Sequence, residues 1–225
     1  MPLMQDYYGN ARNIAGQPSK NEFERIFGFS DEIIRGAALT ALRVANEVDD
    51  RHSQTSGQGS IFYHTFIAEI RTAVDVMDEW TANQEGDNHT APRMYRSDGL
   101  GLAFVQGGAG TADIKSSLYL KKPLGVVTML EIQQGSFPEQ LELSYTDFAD
   151  RSMDPALWLI VYHREGNVVR LEVSNPEGVT EDGKITGWRK RLVLEDVDMN
   201  DQIIKGDDSG EQDEDGDVNV PISVR

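Results

Sequence analysis

The spacing of the apolar residues changes once along this 225-residue chain, near Gly99. Between residues 21 and 82, apolar residues recur every three or four positions, which is the spacing of an amphipathic helix. After residue 99 they alternate with polar residues or form short runs bounded by turn residues, which is typical of strands. Because the two patterns are segregated, the sequence predicts an α+β fold, with an N-terminal helical layer followed by a mainly antiparallel sheet.

The helical part is expected to form three segments separated by polar loops. A short apolar face over 21–27 precedes Ser30, which is predicted to cap a helix that runs to about residue 49. A further helix is predicted over 61–82, after a glycine-bearing loop, and residues 83–93 are predicted to be the next loop.

The strand-rich part is expected to contain a hairpin, because Glu165-Gly166-Asn167 separates two alternating runs. Residues 137–152 are ambiguous, since Pro138 suits the first turn of a helix whereas the residues after it alternate. The predicted strands are 100–106, 112–120, 126–134, 156–164, 167–174 and 185–195.

The formal net charge of −17 is concentrated at one end of the chain. Eleven acidic residues and one lysine lie between Glu195 and Asp217, so residues 197–225 are interpreted as an acidic tail. Residues 1–20 are interpreted as a polar N-terminal arm. The chain between them, 21–196, is predicted to be a single α+β domain, helical over 21–82 and strand-rich over 99–196.

Composition narrows the class of protein. The chain has no cysteine, which excludes disulfides, thiolate nucleophiles and cysteine zinc sites. No apolar run approaches the roughly 18 to 20 residues that a bilayer span needs, and the first residues have neither a basic start nor an apolar core. These features favour a cytoplasmic protein without a membrane partner.

Residues 99–115 contain five glycines and invite comparison with phosphate-binding loops. A P-loop requires a Lys-Ser or Lys-Thr pair after its last glycine, and a dinucleotide fingerprint must open a helix. Neither condition is met here, because Gly110 is followed by Thr111 and by residues that resemble a strand. The glycines are therefore interpreted as a flexible loop between strands.

Two carboxylates follow this loop, Asp113 in the second predicted strand and Glu131 near the end of the third. On adjacent strands they could hold Mg²⁺ through hard oxygen ligands, and the ion could activate a water molecule against a phosphodiester.

This pattern resembles the restriction-endonuclease-like family, whose motif is an aspartate followed by (D/E)-x-K on a mixed helix and strand core. The resemblance covers roughly residues 61–163 and is carried by Asp113, Glu131 and Gln133. It implies a magnesium-dependent nuclease with Asp113 and Glu131 as metal ligands. Gln133 occupies the position of the family's lysine, so the resemblance also fits a degenerate, inactive relative.

The basic cluster at Trp188, Arg189, Lys190 and Arg191 allows two interpretations. Tryptophan beside arginine is typical of surfaces that contact nucleic acid or a partner. Alternatively, the charged face of this strand is solvated or pairs with the acidic tail that follows it, which is the interpretation we favour.

The sequence therefore favours a non-catalytic interaction protein: an adaptor, an inhibitor or a subunit of a larger assembly. It would act through its acidic surface and tail on a protein partner with a basic surface, without a cofactor, and a homo-oligomer is left open. The alternative is the Mg²⁺-dependent or degenerate nuclease, for which nucleic acid is the partner.

Overall fold

The computed structural model describes residues 15–16, 20–48, 54, 56–82, 91–134 and 157–200. Four helices and eight strands lie in these ranges. The helices are α1 (Lys20–Phe27), α2 (Glu32–Asn46), α3 (Gly57–Asp75) and α4 (Val126–Gln134). The strands are β1 (Ala15–Gly16), β2 (Trp80–Thr81), β3 (Arg93–Arg96), β4 (Gly101–Gln106), β5 (Leu157–Glu165), β6 (Val168–Val179), β7 (Ile185–Val193) and β8 (Val197–Asp198).

All eight strands belong to one sheet with the order β1-β7-β6-β5-β4-β3-β2, and β8 pairs with the start of β6. Most neighbouring strands are antiparallel, whereas β4 and β5 are parallel in register from Gly101–Leu157 to Gln106–Tyr162, and β1 is parallel to β7. The α+β prediction, with helices first and a mainly antiparallel sheet after them, is confirmed.

One face of the sheet, called here the helical face, packs against α1, α2 and α3. Strand residues such as Leu102, Ile160 and Val173 point to this side and are fully or almost fully buried. Alanines along the buried stripe of α2 let its backbone approach its neighbours closely, and aromatic rings from α1 and α3 fill the wider gaps. This core is almost entirely apolar, so its stability comes mainly from buried hydrocarbon surface.

The opposite face is covered by the residues that follow β4. Parallel neighbours such as β4 and β5 need a long crossover, and its described part, residues 107–134, folds over the sheet. We call residues 107–134 the cap and the side of the sheet beneath it the cap face. Leu118, Leu124 and Ile132 of the cap pack there in a cluster with Leu159 and Trp188 of the sheet.

The cap corrects two predicted strands. Residues 112–120 form successive turns, with an isolated bridge between Leu120 and Gly107, and residues 126–134 form α4. The β-branched start of this segment suggested a strand. Its buried positions, however, are Thr128, Glu131 and Ile132, which are spaced as on one side of a helix. Tertiary context here overrides local propensity.

The remaining elements agree with the sequence more closely. Helices α1 and α2 lie where helices are predicted, although Asp31 rather than Ser30 is the N-cap of α2 and this helix ends at Asn46 rather than about 49. The β5–β6 hairpin turns at Gly166, whose φ is 59°. The third helix ends at Asp75 rather than 82, because Trp80 and Thr81 pair with β3, and Arg93 begins that strand rather than ending a loop.

Short strands also occur at Ala15–Gly16 and Val197–Asp198, in the ranges interpreted as arm and tail. Residues 137–152, the rest of the arm and most of the tail lie outside the described residues. None of the helices in the described ranges is long and apolar enough to cross a bilayer.

Candidate functional site

The cap begins with a glycine turn that leaves no room for side chains. The Gly108 amide donates to the Tyr119 carbonyl at 2.8 Å, and the Lys121 amide donates to Gln106 at 2.8 Å, so the turn closes beside β4. A Cβ atom on Gly107 would lie 2.1 Å from Thr111 Oγ1, and one on Gly110 would lie 2.6 Å from the Ser117 carbonyl. These two glycines therefore serve close packing, rather than the flexibility expected from the sequence.

A buried ion pair holds this turn onto the sheet. Arg191 of β7 and Glu172 of β6 are 2% and 0% exposed, and Arg191 Nη2 donates to Glu172 Oε2 at 2.8 Å. The same guanidinium donates to the carbonyls of Ser116, at 3.0 Å, and Gly110, at 3.3 Å. Glu172 Oε2 also accepts from the Ala112 amide at 3.3 Å. The pair thus fixes three points of the cap's backbone.

A second buried pair anchors α4 about the middle of its length. Arg93 of β3 donates from Nε to Glu131 Oε2 at 3.0 Å, and both side chains are 1% exposed. The same guanidinium donates to Thr128 Oγ1 at 2.5 Å and to the Ala91 carbonyl at 2.9 Å. Arg93 therefore ties one turn of α4 to the opposite half of the sheet from Arg191.

Burial dominates the electrostatics of Glu172. Removal from water raises the pKa of its carboxyl above the ordinary value of 4.5, and Arg191 opposes this shift. The buried Ser174 hydroxyl lies beside this carboxyl and, after Arg191 and the Ala112 amide, also opposes the shift in its pKa. A buried carboxylate is costly because it has lost its hydration, so its charged form is disfavoured unless the surrounding fold compensates for it.

The two carboxylates proposed as magnesium ligands lie in different environments. Asp113 is exposed in a turn, where its carboxylate accepts from the Lys115 amide at 2.9 Å and the Ser116 hydroxyl at 2.5 Å. The Ser116 hydrogen bond, followed by that from Lys115, lowers the pKa of Asp113. Glu131 is buried against Arg93. The expectation that both lie on adjacent strands is wrong, because one occupies a turn and the other a helix.

Gln133, at the position of the family's lysine, is an exposed residue of α4. Within the described ranges, no three histidine, aspartate or glutamate side chains come together in a group that could hold a metal ion. The magnesium-dependent alternative thus remains a prediction from the sequence.

The basic cluster does not form a single surface. Trp188 is buried on the cap face, and its indole donates to the Leu118 carbonyl at 3.3 Å. Arg191 is buried against Glu172, Lys190 pairs with Glu22 of α1, and Arg189 is exposed. An irregular register between β6 and β7 separates Trp188 from the residues that follow it. The described pairing is intramolecular, with carboxylates of α1 and β6.

The Lys190–Glu22 contact is partly exposed, and the hydrogen bond from Lys190 is the main reason that the pKa of Glu22 is lowered. It joins the sheet to α1 on the helical face. We expect it to contribute little to the free energy of unfolding, as is usual for solvent-accessible pairs.

The outer side of the cap is unusually apolar. Val126 is 70% exposed, Tyr119 72%, Ile114 47%, Val127 38% and Leu130 37%. These are five of the seven large hydrophobic side chains that are exposed among the described residues; the other two are Val44 and Val76. We call these five cap residues, together with the exposed lysines at 115, 121 and 122, the outer cap surface.

The structural roles of Arg93, Glu131, Glu172 and Arg191 as buried pairs were missed from the sequence. In β6, apolar residues at 169, 171 and 173 alternate with Arg170, Glu172 and Ser174, which is the pattern of a strand with one solvated face. The polar face is instead covered by the cap. The available signal was the length of the connection between β4 and β5, because a crossover of this size usually covers a sheet face.

Comparison with known proteins supplies no family within which to interpret these features. The geometry of the cap and its contacts therefore carries the functional interpretation. No protein-family model, curated protein or solved structure matches this chain.

Proposed function

We propose that this protein is a non-catalytic interaction protein, an adaptor, inhibitor or assembly subunit, that binds a protein partner through the outer cap surface. The orientation of α4 carries the proposal. This helix buries Thr128 and Glu131 beside Ile132, at 7%, 1% and 4% exposure, and leaves Val126, Val127 and Leu130 exposed. The cytoplasmic location expected from the sequence belongs to this proposal.

The exposure of apolar residues on α4 is not explained by the stability of the fold. A surface helix ordinarily buries its apolar stripe and exposes its polar one, because burial of hydrocarbon stabilises the fold. In α4, a buried glutamate needs Arg93 to balance its charge, whereas the valines that could have been buried face water. Val126, Val127 and Leu130 lie on one side of α4, and exposed apolar side chains grouped in this way are typical of sites where proteins bind one another.

The charges of the outer cap surface indicate the chemistry of the partner. Lys115, Lys121 and Lys122 are exposed there, and Asp113 is the exposed acidic residue of the described cap. This is a basic surface on a chain with a net charge of −17. An acidic segment that also carries apolar residues would match it, since complementary charge speeds association and apolar contact slows dissociation. A basic partner for the acidic tail, expected from the sequence, remains a separate prediction.

The test compares capture of partners by three full-length proteins: wild type, Val126→Asp/Leu130→Asp, and Val76→Asp. Val76 is 81% exposed at the end of α3, so it controls for adding charge at an exposed valine elsewhere. We expect the double variant to lose about tenfold or more in affinity for a captured partner, as for central contacts of an interface. The control should retain it. A partner that binds all three proteins equally would contradict the proposal.

The nuclease alternative gives the opposite result in a simple assay. Wild type and Asp113→Ala/Glu131→Gln are incubated with plasmid and with single-stranded nucleic acid, in Mg²⁺ or Mn²⁺. We expect no metal-dependent cleavage by either protein. Cleavage by the wild type that the variant lacks would establish an enzyme and overturn the non-catalytic proposal.

A further inference from the structure

We propose that the chain's own acidic C-terminal segment, residues 207–225, binds the outer cap surface within the same molecule. The inference rests on the proposed function in that it assigns a ligand to the same surface. It goes further because it makes the tail a competitor of the external partner. Two features favour the tail as the ligand: its chemistry and the length of chain available.

The tail matches the outer cap surface in both charge and hydrophobicity. Residues 207–217 contain seven carboxylates and no base, and the last residues, 218–225, bring four aliphatic side chains. The cap offers three exposed lysines and five exposed apolar side chains. An acidic run followed by an apolar end is the type of segment that such a surface favours.

The described chain ends on the helical face, where Met199 packs against the core and Asn46 of α2 donates to its sulfur at 3.1 Å. Val197 of β8 pairs with Val169 of β6, and the next residue of β6, Arg170, donates to the Ala109 carbonyl of the cap at 3.2 Å. Arg170 therefore connects the neighbour of β8 to the first turn of the cap, and the chain beyond Asn200 must pass from the helical face to the cap face to reach the outer cap surface. Asn200 follows two residues after β8.

The length of the tail allows it to reach the whole outer cap surface. Residues 201–225 follow the described chain, and 25 residues of extended chain span at most about 80 to 90 Å. A tethered segment acts at an effective concentration on the order of millimolar. Weak contacts with the lysines and valines are therefore sufficient to occupy the surface, and an external partner must displace the tail.

The direct test is zero-length carbodiimide cross-linking of the full-length protein, which joins a lysine amine to a carboxylate in contact with it. We expect links from Lys115, Lys121 or Lys122 to carboxylates of 207–217 within single molecules. Lys190, which pairs with Glu22 of α1 on the helical face, is the control; it should link to Glu22 and give no tail links. The cap links should decline in about 0.5 M NaCl, since salt at this strength screens exposed charges.

Hydrogen exchange of the α4 amides gives an independent readout. In a full-length variant with the seven carboxylates of 207–217 changed to amides, these amides should exchange about two- to tenfold faster than in the wild type. That range corresponds to a tethered ligand at one to ten times its Kd. When Val126→Asp/Leu130→Asp is added, the α4 amides should exchange at the same rate with the wild-type tail and with the amide tail. When Val76→Asp is added instead, the two rates should still differ.

Other results would overturn the proposal. Links between two molecules would assign the surface to a second copy of the chain, and links to carboxylates of 139–154 would assign it to the segment before β5. Equal exchange in the wild type and in the variant with seven amides, without tail links, would show that the tail does not bind the cap. None of these readouts needs an external partner. Failure of partner capture with tail links present would therefore reject the proposed function alone.

Discussion

The two faces of the sheet are buried by different chemistry. The helical face is closed by aromatic and aliphatic side chains from three helices, whereas the cap face combines an apolar cluster with two buried arginine–glutamate pairs. Hydrocarbon packing is tolerant of direction and accumulates with area. Paired charges demand a single geometry, and each partner depends on the other. The helical face therefore supplies most of the stability, and the cap face determines where the crossover sits.

The largest expected change in stability comes from removing one partner of the Arg191–Glu172 pair. Arg191→Met should lower the free energy of unfolding by about 3–5 kcal/mol, because it leaves a buried carboxylate without its partner. Arg191→Met/Glu172→Leu should recover most of that loss, since the pair as a whole is replaceable by packed hydrocarbon. Urea unfolding of the wild type and both variants measures this. A double variant no more stable than the single one would show that the pair itself is required.

A cavity on the helical face should behave differently. Leu42→Ala, at a fully buried position of α2, should lower the free energy of unfolding by about 2–5 kcal/mol, because the surrounding core only partly fills the space. The cap should remain in place, so partner capture or cross-linking at Lys121 should be unchanged at temperatures where the variant is folded. Loss of those readouts in the folded variant would mean that the two faces are not independent.

The pH dependence of stability should have opposite signs at two ion pairs. Burial raises the pKa of Glu172. The contribution of Glu172 to the free energy of unfolding is therefore fully present below about pH 4.5 and is lost as the pH rises through its folded-state pKa. The hydrogen bond from Arg96 lowers the pKa of Asp98, an exposed partner, so its contribution is present above pH 3.8 and is lost at lower pH.

Urea unfolding across pH 3 to 8 tests these signs in Glu172→Gln and Asp98→Asn. Relative to the wild type, Glu172→Gln should become more stable as the pH rises from about 4.5, by at most about 1.4 kcal/mol per pH unit. Asp98→Asn should approach the wild type as the pH falls below 3.8. Parallel curves for wild type and Glu172→Gln would contradict the burial argument.

The smallest expected changes in stability come from two residues with positive φ, one in the cap and one between α1 and α2. Ala112 of the cap has φ of 62°, a conformation that suits glycine, and its amide is held by Glu172. Ala112→Gly should therefore stabilise the protein by about 0.5–1 kcal/mol. Gly28, between α1 and α2, has φ of 78° and only ordinary contacts at its Cβ position, with Glu79 and Arg96, so Gly28→Ala should destabilise by about 1 kcal/mol. Thermal unfolding measures both, and equal signs would contradict the assignment.

The helical face was predictable because each of its parts carries a local signal. The alanine and leucine stripe of α2 has helical spacing, and glycine at 166 marks the β5–β6 turn. In both cases the side chains that look apolar in the sequence are the ones that are buried.

The cap lacked such a signal for a physical reason. In α4 the apolar residues Val126, Val127 and Leu130 are exposed while Glu131 is buried beside Ile132, so a pattern based on hydrophobicity does not identify the buried side. Arg93 pairs with Glu131, 38 residues later, and Glu172 pairs with Arg191, 19 residues later. No short sequence pattern spans these separations. A polar strand face has the same sequence whether water or a cap covers it.

The parallel pairing of β4 with β5 has a consequence for the order of folding. Strands β2 to β4 and strands β5 to β7 each form antiparallel ladders between neighbours along the chain, which assemble quickly, and β8 adds to β6. Joining them closes a loop of 50 residues, 107–156, at an entropic cost of roughly 3.5 kcal/mol before the first contact compensates for it. The two ladders are therefore expected to form first and the seam between β4 and β5 last, so the cap takes its position only when the rest of the sheet already exists.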